Sequence, residues 1–288
     1  MYQLYKALSI LRDIDIEILT FLEHNLNKYK FVPVKLLSKK LKTSEEAVEN
    51  ILKYLKGYGL IKVKKSPYFG VALEPYGLDL ISLHYLKVKN QISGLLGNIG
   101  VGKESYVLKG ISPINEILAV KIFRLGFPSF KSVVRSRNIS PIDVNWFILS
   151  KDSAKREFNN LIKAWESKVS VPMPKSIANN VVLLEYIDGI LLSEIDKELI
   201  SEDMVDLILE NVIRISKNAH LVHGDLSAYN IIIRLSDLKP FIIDWGQAVP
   251  LTSKYGMKFL ERDLFNISTF FTELGYSISH KDILNKIL

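Results

Sequence analysis

Cysteine is missing from all 288 residues, and its absence excludes disulfides, iron–sulfur clusters, thiolate zinc sites and thiol nucleophiles. It fits a reducing compartment. Also missing is any apolar run near the ~18 residues that a membrane-spanning helix needs; even the greasy stretch 181–192 contains Glu185 and Asp188. Arg12, Asp13, Asp15 and Glu17 interrupt the N-terminal segment, so no leader is expected there. A cytoplasmic protein that makes no use of a membrane is the expectation. Internal repeats and low-complexity tracts are lacking too. Acids are in modest deficit, 31 Asp plus Glu against 38 Lys plus Arg, a net +7. The deficit is local: residues 1–90 carry 15 basic and 9 acidic groups (+6), whereas 91–288 carry 23 and 22 (+1).

What is present is a globular composition, 48% hydrophobic and 24% charged, long enough for two domains. In the first, Ile14, Ile18, Leu19, Phe21 and Leu22 recur at helical spacing within 10–26. A short helix is predicted over Val34–Leu41, and a third over Ser44–Lys56, with Ser44 as its N-cap and Glu45 and Glu46 in its first turn. Gly57-Tyr58-Gly59 stops it. Leu60–Lys65 and Tyr68–Leu73 read as a hairpin about Ser66-Pro67, and Pro75–Lys89 as another helix. Three helices and a hairpin make a winged helix-turn-helix over 1–90. Its third helix would read a groove, with Lys62, Lys64 and Lys65 of the wing on phosphates. Glu45, Glu46 and Glu49 argue against that contact, and a protein-docking module is the other reading. The +6 favours nucleic acid, with RNA against DNA open.

The second domain, 91–288, starts with predicted strands at Ile92–Leu96, Tyr106–Lys109 and Ile117–Phe123 and turns to a mixed helical portion. Between 126 and 152 periodicity fails, which predicts a long loop. Glycines 97, 100 and 102 make a bare turn that backbone N–H groups can lay against phosphates. A Walker A loop is rejected because Lys103 is followed by Glu104 and then by a strand. Lys121 sits alone in the apolar strand Ala119–Ile122 and needs an anion. Glu157, on a helix opening at Ser153, is the candidate partner, with a solvated helix face as the alternative. His223-Gly224-Asp225 is followed by Asn230, five residues after the aspartate, and then by Ile243-Asp244-Trp245. That is the order of a kinase catalytic loop: Asp225 as base, Asn230 and Asp244 as hard oxygen ligands for a magnesium ion that bridges phosphates. His220 and His223 lack a third soft ligand and are read as structural.

With these motifs placed, the chain resembles the RIO family of atypical serine/threonine protein kinases, in its winged-helix (RIO-two) branch. Gly100-Val101-Gly102-Lys103-Glu104-Ser105 is similar to the branch's phosphate loop, 221–232 to its catalytic loop, and 74–86 to the end of its winged helix. The resemblance implies an α+β protein, a winged helix followed by a trimmed two-lobe kinase fold (N-lobe 91–184 with a flexible loop at 126–152, C-lobe 188–288). Only 44 residues follow Asp244, too few for a usual activation segment. It implies ATP with Mg²⁺, or Mn²⁺, as cofactors. Lys121 and Glu157 would hold the phosphates, and Lys103, Glu104 and Ser105 would approach the triphosphate. Glu185 and Ile187 would meet adenine, Asp225 would act as base, and Asp244 would also accept phosphate transiently. Ser129 would be an autophosphorylation site. The implied role is kinase or ATPase in small ribosomal subunit maturation, with ribosomal RNA contacted through the winged helix. One departure stands out: Trp245-Gly246 replaces the branch's Phe-Pro, which is expected to loosen the metal loop. It keeps an aminoglycoside-type small-molecule phosphotransferase as the alternative.

Overall fold

The computed structural model describes residues 10–102, 104–125 and 146–288. The chain divides into two compact units, one of residues up to Ala154 with Ser176–Leu183, the other of Lys155–Lys175 with Leu184–Leu288.

In the first unit, α1 (Asp13–His24) is anchored by an ion pair that turns inward. The buried Asp15 accepts from the Arg12 main chain at 3.0 Å and from its guanidinium at 2.8 and 2.9 Å. β1 (Val32–Pro33) leads into α2 (Val34–Leu41), and α3 (Glu45–Gly57) starts where the Ser44 hydroxyl accepts from the Ala47 N–H at 3.1 Å. Val48, Leu52 and Leu55 then fall at helical spacing on the buried face. β2 (Ile61–Lys64) and β3 (Gly70–Leu73) form the hairpin, and β1 completes a sheet of order β1-β3-β2. α4 (Pro75–Val88) follows, with proline at its first turn. The winged helix-turn-helix is therefore present with the predicted elements.

The same unit holds most of a five-stranded sheet of order β4-β5-β6-β8-β7: β4 (Gly94–Val101), β5 (Ser105–Ile111), β6 (Ile117–Phe123), β7 (Pro174–Ala178) and β8 (Val181–Glu185). Two expectations need correction. The glycine stretch is strand rather than turn: β4 stays paired to β5 as far as Val101↔Tyr106, and register breaks at Leu95/Gly97 and Asn98/Gly100 absorb the extra residues. The predicted loop also ends early, because α5 (Trp146–Glu166) already takes in residues 146–152. Leu149 and Ser150 are buried there, and the Ser150 hydroxyl accepts from the Leu125 N–H at 3.2 Å. Residues 126–145, with Ser129, lie outside the described residues.

One hydrophobic core runs without a break from Ile18, Leu52 and Val71 of the winged helix, through Leu80, Ile81 and Leu86 of α4, to Leu95, Leu108, Val120 and Leu183 of the sheet. A buried polar hub lies in it. Asp79 of α4 accepts from the Tyr106 hydroxyl (2.6 Å), Asn180 Nδ2 (2.6 Å) and the Arg124 guanidinium, whose Nε is at 2.8 Å. The Ser82 hydroxyl donates to Asn180 Oδ1 at 2.8 Å, and Asn180 Nδ2 also donates to the Phe123 carbonyl at 3.0 Å. The packing therefore has no gap at residue 90.

In the second unit β9 (Gly189–Leu191), β11 (Ile231–Arg234) and β12 (Pro240–Ile242) form a sheet of order β12-β11-β9, and β10 (Leu221–Val222) pairs with β13 (Val249–Pro250). The C-terminal part of α5, α6 (Glu202–Lys217), α7 (Gly256–Glu273) and α8 (His280–Ile287) supply the helices. No helix of the described residues is long and apolar enough to cross a membrane.

Candidate active site

The phosphate-loop residues occupy the exposed end of β4 and its turn into β5. The Gly102 N–H donates to the Ser105 carbonyl at 2.8 Å, and a methyl group added at Gly102 would stand 3.3 Å from that oxygen, a tight fit that the turn could take only with a small shift. A side chain at Gly97 or Gly100 would meet nothing within 4 Å, so bare backbone faces open space there. Lys103 lies outside the described residues. Glu104 is fixed through its carbonyl, which accepts from the Arg124 N–H at 2.9 Å, while the Arg124 side chain is held by Asp79. Burial pushes the Asp79 carboxyl up from its ordinary value, against the pull of Arg124. Lys121, opposite Val107 on β6, is buried, with Nζ 5.3 Å from the centre of the Phe123 ring.

In the second unit, 223–230 link β10 to β11. Val222, His223, Gly224 and Leu226 are buried and Asp225 alone among them is exposed, so the loop presents one carboxylate. Three side chains of α7 clamp it. Asp263 of α7 accepts from the N–H of Gly224 at 2.7 Å and of Leu226 at 3.0 Å; Arg262 donates to the Gly224 carbonyl; Asn266 donates to the Leu226 carbonyl at 3.1 Å. His223 Nε2–H donates to the Ile243 carbonyl at 3.0 Å, a structural role as expected. Gly224 has φ +79°, and a methyl group there would come 2.6 Å from the Gln247 carbonyl, so any side chain would displace the loop.

Asn230 Nδ2 donates to the Asp225 carbonyl at 2.7 Å, which leaves Oδ1 as its acceptor end. The Asn230 carbonyl accepts from the Ile243 N–H at 2.9 Å, so main-chain bonding seats Asn230 beside the residue before Asp244. Asp244 itself adopts a left-handed backbone, φ 66°, which aspartate tolerates better than most residues. The turn after it is not loose. Trp245 is fully buried, its Nε1–H donates to the Ile242 carbonyl at 3.0 Å, and Asn160 of α5 donates to the carbonyls of Trp245 (3.2 Å) and Ala248 (3.1 Å). These bonds replace what proline would have restrained. Glu157, one turn earlier on α5, is buried rather than on a solvated face. A methyl group at Gly246 would stand 3.4 Å from Glu157 Oε2 and 3.8 Å from Asp244 Oδ1.

Glu185 ends β8, where its N–H donates to the Met173 carbonyl at 2.9 Å and its side chain accepts from the Met173 N–H at 3.1 Å. Ile187 is buried two residues on, and its N–H has no hydrogen-bond partner among the described residues. A main-chain donor left open in this way can serve the acceptor edge of a ligand. The oxygens of Asn230 and Asp244 suit Mg²⁺, which takes one or two carboxylates and fills its octahedron with phosphate and water. Among the described residues no cluster of three or more His, Asp and Glu forms an all-protein cage.

Asp263 and Asn160 were missed in the sequence, and Asp79 was seen there only as part of the 74–86 stretch, without its partners. Their signal is a polar residue on a buried stripe: Asp263 lies between Leu260, Leu264 and Ile267 on α7, as Asn160 does beside Leu161 and Ala164 on α5.

The family model described as RIO domain matches residues 106–283, and that described as Rio2, N-terminal, matches 8–89. The serine/threonine-protein kinase rio2 of Schizosaccharomyces pombe is 28% identical over 269 residues, 92% of this chain and 78% of the relative. The RIO-type serine/threonine-protein kinase Rio2 of Methanocaldococcus jannaschii is 28% identical over 265 residues, 89% of this chain and 95% of the relative. Two longer relatives are spanned only to about half their length. The Rio2 kinase of Chaetomium thermophilum, solved as an ADP/Mg²⁺-phosphoaspartate complex, is similar with a TM-score of 0.82 and 27% identity, over 98% of this chain and 88% of that one. The match over 8–89 removes the small-molecule phosphotransferase alternative, which has no winged helix.

Proposed function

Because the chain belongs to the RIO domain family and carries its Rio2 N-terminal domain, we propose that it is an ATP- and Mg²⁺-dependent serine/threonine kinase, with ATPase turnover, acting in maturation of the small ribosomal subunit in the cytoplasm. The domain limits proposed are 1–90 for the winged helix and 91–288 for the kinase portion, with lobes at 91–184 and 188–288. Its single strongest support is the catalytic loop: an exposed Asp225 on a backbone clamped by Asp263, with the Asn230 side chain bonded to the Asp225 carbonyl and the Asn230 carbonyl bonded to Ile243, the residue before Asp244.

In this reading Gly100, Gly102, Lys103, Glu104 and Ser105 cover the phosphates, and Lys121 and Glu157 orient them. Glu185 and Ile187 take the adenine edge. Asn230 and Asp244 hold the metal, which supplies charge neutralisation at the transferred phosphoryl group. Asp225 orients the attacking hydroxyl and accepts its proton. The phosphoaspartate of the Chaetomium relative supports Asp244 as a transient acceptor in the ATPase branch. Ser129 is the proposed acceptor within the chain. Ribosomal RNA is the proposed partner of the basic winged helix.

Purified protein with Mg-ATP is expected to hydrolyse ATP and to label itself. Asp225→Asn and Asp244→Asn should each lower turnover by at least about 100-fold, the usual scale for a base or an electrostatic stabiliser. Unchanged turnover in both variants overturns the assignment.

A further inference from the structure

The third helix of a winged helix is the usual groove reader, but here the first turn of α3 presents Glu45 and Glu46, with Glu49 after them. Three carboxylates at that position repel a phosphate backbone. α3 carries cations only towards its C-terminal end, Lys53 and Lys56, and a denser set lies elsewhere. A cavity of about 370 Å³ opens between the end of α1, the loop before β1, the wing strand β3 and the start of α5. Tyr29 and Trp146 line it beside Lys28, Lys30 and Lys62, and among the described residues no acidic side chain does. Lys28 and Lys30 are exposed, and Tyr29 is 38% exposed. Lys62 is already paired with Glu74 at 3.3 Å, and Glu23, behind the cavity, is taken by Lys151.

The wing continues the pattern. Lys64 Nζ stands 4.0 Å from the centre of the Tyr68 ring and 5.0 Å from that of Phe31, and the Tyr68 hydroxyl donates to the Phe31 carbonyl at 2.9 Å. Gly70 permits this packing, since a methyl group there would come 2.8 Å from the Tyr68 ring. Lys65, exposed, follows. Cations alternating with aromatic rings along a track, next to a cavity within the ~300–1,000 Å³ of ligand sites, match a surface for unpaired nucleotides. Bases stack on rings while lysines follow the phosphates. A duplex offers no free base faces to such a cavity, and an acidic peptide without aromatic residues has no flat rings to fill it.

We propose that the winged helix binds single-stranded RNA through this face, Lys28, Tyr29 and Lys30 with Trp146 at the cavity and Lys64 and Lys65 along the wing, and not through α3. This rests on the RNA reading above and names the surface and the form of RNA. The probe is a fluorescein-labelled single-stranded oligoribonucleotide of about 12 nucleotides, titrated by anisotropy into full-length protein across a salt series of roughly 50 to 200 mM. A duplex of equal length and a polyglutamate peptide serve as competitors.

Tyr29→Ala is expected to weaken single-strand binding roughly 5- to 100-fold, the worth of one stacked base. Lys28→Glu with Lys30→Glu should weaken it and flatten the salt slope by about 1.4, while Lys53→Glu with Lys56→Glu on α3 leaves it within about twofold. ATP hydrolysis and melting temperature should be unchanged in all of them, which separates a lost contact from a lost fold. Loss confined to the α3 variant overturns the face and leaves the RNA reading standing. Equal competition by duplex or polyglutamate overturns the single-strand assignment. No binding of either RNA at low salt overturns the RNA reading and this inference with it.

Discussion

Asp263 does no chemistry on a substrate in this reading, yet the position of Asp225 depends on it. Burial pushes its carboxyl up to about 6 despite two backbone N–H donors. The folded state therefore binds a proton on Asp263 at a pH where the unfolded chain does not, so the contribution of this group is largest below about pH 4 and is lost as pH rises through about 6. The melting temperature of the wild type is expected to gain on that of Asp263→Asn as pH falls from about 7 to 5; a constant difference would refute it. Asp263→Ala leaves two buried N–H groups unanswered, at about 1–3 kcal/mol each, and should cut turnover while sparing ATP affinity, measured as kcat against nucleotide Kd. For Asp244 the informative replacement is Asn, because alanine would add left-handed backbone strain to the lost charge. The sequence made Asp225, Asn230 and Asp244 legible because their mutual spacing is set by local chain geometry. The clamp was not legible, since Asp263 is 38 residues from Asp225 and only the folded helix brings it near.

Among the elements, the winged helix was readable almost residue by residue: caps such as Ser44, apolar spacing and a Ser-Pro turn are all local signals. Ser44→Ala is accordingly expected to cost about 1 kcal/mol in denaturant unfolding, an exposed cap of ordinary worth. β4 and the start of α5 were misread for non-local reasons. β4 is kept a strand by its neighbour β5 in spite of three glycines, and α5 extends to Trp146 because its first turns find burial in the first unit. The junction of α4 with the sheet was not legible at all. Asp79→Ala would strand a partly buried Arg124, 26% exposed, and should destabilise by about 3–5 kcal/mol. Because the Arg124 main chain also fixes Glu104, the same variant should raise the Kd for ATP. Replacing both partners by apolar residues of matching volume is expected to restore much of the stability and little of the affinity, as equilibrium unfolding and nucleotide titration would reveal.

At the scale of the molecule, the division by charge at residue 90 is not a division in packing. Residues 1–90 hold +6 of the net +7, but Leu80, Ile81, Leu83 and Leu86 of that basic part belong to the same core as Leu95, Leu118 and Val120 of the sheet. A fragment starting at residue 91 is therefore expected to bind hydrophobic dye and to melt without cooperativity; a soluble, sharply melting fragment would contradict this. The phosphate strand β4 carries a last consequence. It is an outer strand of the five-stranded sheet, and Leu96, Ile99 and Val101 on it are exposed. A flat, apolar outer strand invites a second chain to add on, the first step to aggregation. The register breaks at Leu95/Gly97 and Asn98/Gly100 spoil its straightness as a template, so the same irregularity that the proposed function uses to lay bare backbone against phosphate also works against edge-to-edge pairing.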